Sequence, residues 1–263
     1  TSSANSVLNQ ATGQILATEA DAIRTGVNGS VTNYGTIQAT TSSGSSSDAI
    51  DAQNNSGLSV WNQVGGQIIG GRHGITGGAV NNAVSFVAAV RNDATASILG
   101  SNGAGLNFDG FNALQVVTVT NAGTIVGNGV TGDGDGIDVD GVLNLTNAAG
   151  GVIRSANSFS ALASGVAYSE GLSIGGGTVN NSGLIEGLVA AGNTNAVGRG
   201  ISLVGNDITS GVNAGQREAL VRDHPDGTSA GAAAAVLGGA GLAAPSPEPS
   251  PGLRPTPRSM VTR

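Results

Sequence analysis

Val119-Thr120-Asn121-Ala122-Gly123-Thr124-Ile125-Val126-Gly127 decides the fold of this chain, because variants of it occur seven times. The rule is [Val/Leu]-x-Asn, one or three residues, then [Gly/Ala]-x-Ile-x-[Ala/Gly/Ser]. Its Asn positions are 9, 33, 62, 92, 121, 147 and 181. Spacings of 24 to 34 residues between them mark a stack of similar units, none of which has a core of its own. Within each copy the apolar residues alternate with period two, the signature of a strand with one face inward. The Gly between the two runs marks a tight bend, where a residue without Cβ adopts positive φ without strain. A third apolar element follows each copy, at Ala22-Ile23, Ala49-Ile50, Gly74-Ile75, Gly105-Leu106, Gly136-Ile137, Gly165-Val166 and Gly200-Ile201.

Three short strands per period fit one turn of a triangular coil, each strand bonded to its equivalents in the turns on either side. The expectation is therefore an all-β protein, a parallel β-helix (solenoid) of about seven three-stranded turns. Stacking places equivalent residues about 4.8 Å apart, so Ile15, Ile37, Ile68, Ile98, Ile125, Ile153 and Ile185 become one buried column. The Asn residues form a second column, read as a structural ladder rather than as ligands. Composition agrees: 45 Gly, 3% aromatic and 10% charged residues are far from an ordinary globular enzyme.

The repeat domain is expected to span residues 1–215. All seven prolines lie at or beyond Pro225, and the run Pro245-Ser246-Pro247-Glu248-Pro249-Ser250-Pro251 suits an extended, solvated tail. Residues 216–263 are therefore expected to be an Ala/Gly/Pro-rich, mostly disordered tail. Thr1 opens directly onto the first copy, which reads as a start inside a mature or shortened protein. No run of 18 apolar residues occurs, so no transmembrane helix is expected. A net charge of −7 with scattered arginines disfavours nucleic acid as a partner.

The phrases at 119–127, Val179-Asn180-Asn181-Ser182-Gly183-Leu184-Ile185-Glu186-Gly187 and Asp135-Gly136-Ile137-Asp138-Val139-Asp140-Gly141 resemble the passenger domains of bacterial autotransporters. The resemblance covers about residues 1–215. It implies a right-handed parallel β-helix, secreted or displayed at the outer membrane of a Gram-negative bacterium. It also implies a structural or adhesive role, contacting cell-surface glycans or proteins, or copies of itself. The family's C-terminal barrel translocator is not in this sequence, so membrane anchoring is not expected of the chain as it stands.

One acidic cluster stands out, Gly132 to Gly141. Carboxylates in a Gly-rich run are what Ca²⁺ takes, which makes Asp133, Asp135, Asp138 and Asp140 the candidate ligands. Their spacing matches neither an EF-hand nor a repeated Gly-Gly-x-Gly-x-Asp array. Alternation turns Ile137 and Val139 inward and Asp138 and Asp140 outward onto a wet face, and that reading is preferred. Asp21, Asp48 and Asp135 share a column with His73, Ala104, Ser164 and Arg199, and a column that holds Arg is no dedicated cation site. No catalytic residues and no cofactor are expected.

The rival class is a carbohydrate-active β-helix enzyme, a polysaccharide lyase or hydrolase, which needs paired carboxylates. Asp133 with Asp135 is the one candidate pair, since Glu19, Asp51, Asp93, Asp109, Glu170, Glu186 and Asp207 fall on different turns. His73 reads as a turn residue. Ice binding needs a regular Thr column, and the one through Thr32, Thr120 and Thr146 is interrupted by Leu8, Trp61, Arg91 and Asn180. Trp61, the only Trp, reads as outward, shielding a neighbouring turn rather than stacking on a sugar.

Overall fold

A computed structural model describes residues 4–203, except 42–46, 82, 111–112 and 160–166, together with 217–218 and 234–237. The first coil consists of β1 (Ser6–Asn9), β2 (Gln14–Thr18) and β3 (Ile23–Arg24). The second is β4 (Ser30–Asn33), β5 (Thr36–Thr40) and β6 (Ile50–Asp51). The third is β7 (Leu58–Asn62), β8 (Gln67–Gly70) and β9 (Ile75–Gly78), and the fourth β10 (Phe86–Asn92), β11 (Ser97–Gly100) and β12 (Leu106–Asp109). Then follow β13 (Gln115–Asn121), β14 (Thr124–Gly127), β15 (Ile137–Asn147), β16 (Val152–Ser155), β17 (Ala167–Asn181), β18 (Leu184–Gly187) and β19 (Ala196–Leu203).

Every pairing among these nineteen strands is parallel and joins equivalent strands of successive coils, as in Val90 with Val60 and Val119. The protein is a right-handed parallel β-helix. Its second strands form a seven-stranded sheet, β18-β16-β14-β11-β8-β5-β2. Six stacking steps make that sheet about 29 Å tall.

The cross-section departs from the expected triangle. First and third strands belong to a single sheet, because β15 and β17 run straight from a third strand into the next first strand. An irregularity between Val139 and Val142 lets β15 turn this corner without a loop. Earlier coils make the same corner with a connection between separate strands, as from β9 to β10. A second correction concerns the sixth third-strand. Its place is taken by Gly171-Leu172, with Leu172 in register with Ile137 and Ile201. Gly165 and Val166 lie outside the described residues.

The core is the expected column. Ile37, Ile68, Ile98, Ile125 and Ile153 are fully buried and Ile185 nearly so, while Ile15 in the first coil is only half-buried. Phe86 and Phe108 widen the core at one corner, their rings 5.9 Å apart and tilted by 44°. The Asn column is a continuous hydrogen-bonded ladder. Asn9, Asn33, Asn62, Asn92, Asn121 and Asn147 each donate from Nδ2 to Oδ1 of the next Asn, at 2.8 to 2.9 Å. The same nitrogen also donates to bend carbonyls, as from Asn62 to Gly66 O and Ser97 O.

The motif Gly is required for closeness rather than for positive φ. A Cβ on Gly66 would stand 2.4 Å from Asn62 Oδ1 and 2.6 Å from Asn33 O. In three of the four longer bends the residue before it is left-handed: Gly65 (φ 78°), Thr95 (64°) and Gly150 (83°). Beyond the helix, β20 (Arg217–Glu218) pairs antiparallel with β19, and β21 (Ala234–Leu237) pairs antiparallel with β17. The rest of the expected disordered tail lies outside the described residues.

Candidate functional site

The four aspartates of the Gly-rich run separate into different environments. Asp135 is buried and accepts the Glu170 N–H at 2.9 Å. Asp133 is exposed, with its carboxylate turned back to accept from Gly134 N and Ser158 Oγ, each at 2.9 Å. Asp138 and Asp140 do face outward, alternating with Ile137, Val139 and Gly141. They are half-buried, however, and not on the freely wet face the alternation suggested. Burial pushes the Asp138 carboxyl well above the usual carboxylate range, and Asp140 and Asp133 push it further. Asp140 is pushed up to about 6, by burial first and then by Asp109.

Stacking explains the crowding. Asp138 lies between Asn107 and Ser173 in the register, and Asp109 stands two residues past Asn107, as Asp140 does past Asp138. Sequence reading counted Asp109 among the scattered acids, apart from the cluster that holds Asp140. The signal that would have joined them is the 31-residue offset between Leu106 and Ile137, which applies unchanged to 109 and 140. Among the described residues no group of three or more His, Cys, Asp or Glu is placed to hold a metal ion.

Asp135 belongs instead to a second ladder. Asp21 Oδ1 accepts the Asp48 N–H, Asp48 Oδ1 the His73 N–H, and His73 Nδ1 the Ala104 N–H, each at 2.9 Å. The expected column was right except at Ser164, whose place Glu170 takes, with Arg199 Nη1 donating to Glu170 Oε1 at 3.3 Å. Asp21, Asp48, His73 and Asp135 each satisfy a backbone N–H where the chain turns into its third strand. The common requirement is an acceptor, which Asp and neutral His both supply.

His73 is thus a buried member of this ladder rather than a simple turn residue, with its ring proton on Nε2. Burial, then the neighbouring Arg72, lowers its pKa to about 3. The unfolded chain takes up this proton near pH 6.5 and the folded one only near 3, so His73 withdraws stability as pH falls through that window. The raised carboxylates act in the opposite sense, so the His contribution is read by difference. Against a His73→Asn variant, which retains an acceptor, the native chain should lose about 1.4 kcal/mol per pH unit below 6.5, levelling off near pH 3. Urea unfolding at pH 7, 5.5 and 4 measures this, and parallel stability curves for the two chains would contradict it.

Two outward surfaces complete the picture. Trp61 is 40% exposed, with the Arg91 guanidinium 4.7 Å from its ring centre and Nε1 donating to Asp93 at 2.8 Å. Arg91 also donates to Asp93 at 2.7 Å, so the three form a closed group across neighbouring coils. Trp61 thus packs against Arg91 of the next coil. The outer face of the seven-stranded sheet carries the in-register columns Gln14-Thr36-Gln67-Ser97-Thr124 and Leu16-Gln38-Ile69-Leu99-Val126. These ten outward positions over five coils include no charge. Arg154 and Glu186 follow, paired with each other. Among the described residues no helix is long and apolar enough to cross a membrane. No family model matches the chain, and neither the curated proteins nor the solved structures contain a match.

Proposed function

We propose that the chain is the passenger-type β-helix of a secreted or surface-displayed bacterial protein, acting as a rigid structural module that adheres to surfaces. One observation carries this reading: the uncharged outer face of the seven-stranded sheet, where polar and apolar columns lie side by side over five coils. A flat, repetitive face on a rigid rod favours many weak contacts to an extended surface over enclosure of one small molecule. The repeat phrases that resemble autotransporter passengers agree with it. Cell-surface glycans or proteins, or further copies of the chain, are the partners this face suits.

A second reading has its own support. Asp140, with its carboxyl at about 6, stands beside Asp109 and Asp138, and a carboxyl raised toward neutral pH is what glycoside hydrolysis asks of its general acid. A glycan array run alongside a polysaccharide-degradation screen separates the two. The adhesive reading expects binding or cell clumping without turnover, undiminished by Asp138→Asn and Asp140→Asn. Turnover that declines above about pH 6 and disappears in those variants would replace it with the enzymatic reading.

A further inference from the structure

We infer that the corner where third strands pass into first strands, at coils three to five, is a docking surface for a cationic, amphipathic segment of a partner protein. The proposal is independent of the flat face, which belongs to the other sheet. Four large apolar side chains are exposed at this corner: Val80 (61%), Val84 (42%), Val87 (48%) and Leu114 (51%). They are brought together by the fold. Val87 pairs in register with Val116, and Phe86 N donates to Leu114 O at 3.2 Å, so the start of β10 lies against Leu114 and the start of β13. Two residues along, the in-register outward column Ser6-Ser30-Ser59-Ala89-Thr118-Asn144-Thr178 is almost wholly polar. An apolar group on two adjacent coils therefore calls for a partner.

Two shallow depressions flank the connection between β9 and β10. One, of about 330 Å³, is mainly apolar and is lined by Leu58, Val87, Ala89 and Val116, with Ser59 and Thr118 at its edge. The other, of about 250 Å³, is lined by Asp51, Thr76, Ala79 and Asp109. On the following coil the outward stripe of β15 passes from Asp138 and Asp140 directly to Val142. An acidic strip and an apolar strip thus run side by side, about 7 Å apart, two residues along a strand. At the far end of the acidic side Arg24 is bonded to Asp21 and lies 3.7 Å from Asp51.

This pairing of chemistries selects the occupant. An apolar ligand would leave the carboxylates desolvated, and an anionic one would be repelled. A second copy of the chain is disfavoured by its net charge of −7 and by the same acidic strip on its own corner. A segment in which Arg or Lys alternates with Leu or Val satisfies both strips, with association that weakens as salt rises.

The test uses the full chain and fluorescein-labelled nonapeptides of alternating Arg and Leu, alternating Arg and Ser, and alternating Glu and Leu. Fluorescence anisotropy should show saturable binding of the Arg/Leu peptide, at least about tenfold tighter than either control. The same factor should be lost in a Val87→Ser, Leu114→Ser pair and in an Asp51→Asn, Asp109→Asn pair. The Asn replacements keep the acceptors used by Gln53 N and by Asn107 Nδ2, and unchanged thermal melts would show that the variants fold. Equal binding of the Arg/Ser peptide would reduce the site to charge alone and overturn the proposal. So would binding that neither pair of substitutions affects. Binding that emerges only after Arg254, Arg258 and Arg263 are changed to Gln would assign the surface to the chain's own tail instead. Self-association abolished by Val87→Ser would assign it to a second copy.

Discussion

Replacing Ile125 by Asp should destabilise the β-helix by on the order of 5 kcal/mol, the largest effect expected of any single change described. Ile125 is fully buried and stacked in register between Ile98 and Ile153. The substitution removes a core side chain and the contacts it made on both neighbouring coils. It also places a carboxylate among isoleucines, where no donor is at hand, so the group must either stay charged without a partner or take up a proton. Urea unfolding followed by circular dichroism measures the loss. A change of less than about 1 kcal/mol would mean that the column is not the core. Because each coil rests on its neighbours, the damage should spread along the rod in both directions, and hydrogen exchange should show coils four to six losing protection first.

Asn92→Ala should cost nearly as much, about 4 kcal/mol, without touching the apolar core. Asn92 Nδ2 donates to Asn121 Oδ1 at 2.9 Å, to Thr124 O at 3.2 Å and to Ala96 O at 3.4 Å, while its Oδ1 accepts from Asn62 at 2.9 Å. Truncation therefore leaves an amide proton of Asn62 and the amide oxygen of Asn121 without this partner and strips a bond from two bend carbonyls, of which Ala96 O keeps the Thr124 N–H at 2.9 Å, all where water has little access. Asn9→Ala should cost roughly half as much, since among the described residues Asn9 has a ladder neighbour on one side only. Calorimetric melting of the two variants compares them directly. Equal losses would show that the ladder does not act cooperatively through its middle rungs.

The coil itself was legible in the sequence because parallel stacking repeats one environment many times. An Ile or Asn recurring at a fixed place in seven copies averages out the noise of any single position. The same logic placed Asp21, Asp48, His73 and Asp135 in one column. It did not reveal that the column needs an acceptor, because Asp and His look dissimilar until the N–H they serve is seen. The sixth third-strand was misplaced because the chain between Ser158 and Ala167 departs from the period, and Gly165-Val166 imitates the Gly171-Leu172 that holds the position. The acidic corner was missed for a different reason. Residues 109 and 140 meet only across coils, so a search for neighbouring carboxylates within one stretch of chain passes over them.

The Asn ladder has one further property. All six of its amide-to-amide bonds point the same way, the nitrogen of the earlier coil toward the oxygen of the later one. The stack is therefore a polar column, distinguishable end from end like a row of arrows. Two such columns joined head to tail would continue the pattern, nitrogen meeting oxygen at the seam. Joined head to head they would set donor against donor, and tail to tail acceptor against acceptor. Any extension of this rod, whether by more of the same chain or by another, is thereby restricted to a single sense of travel.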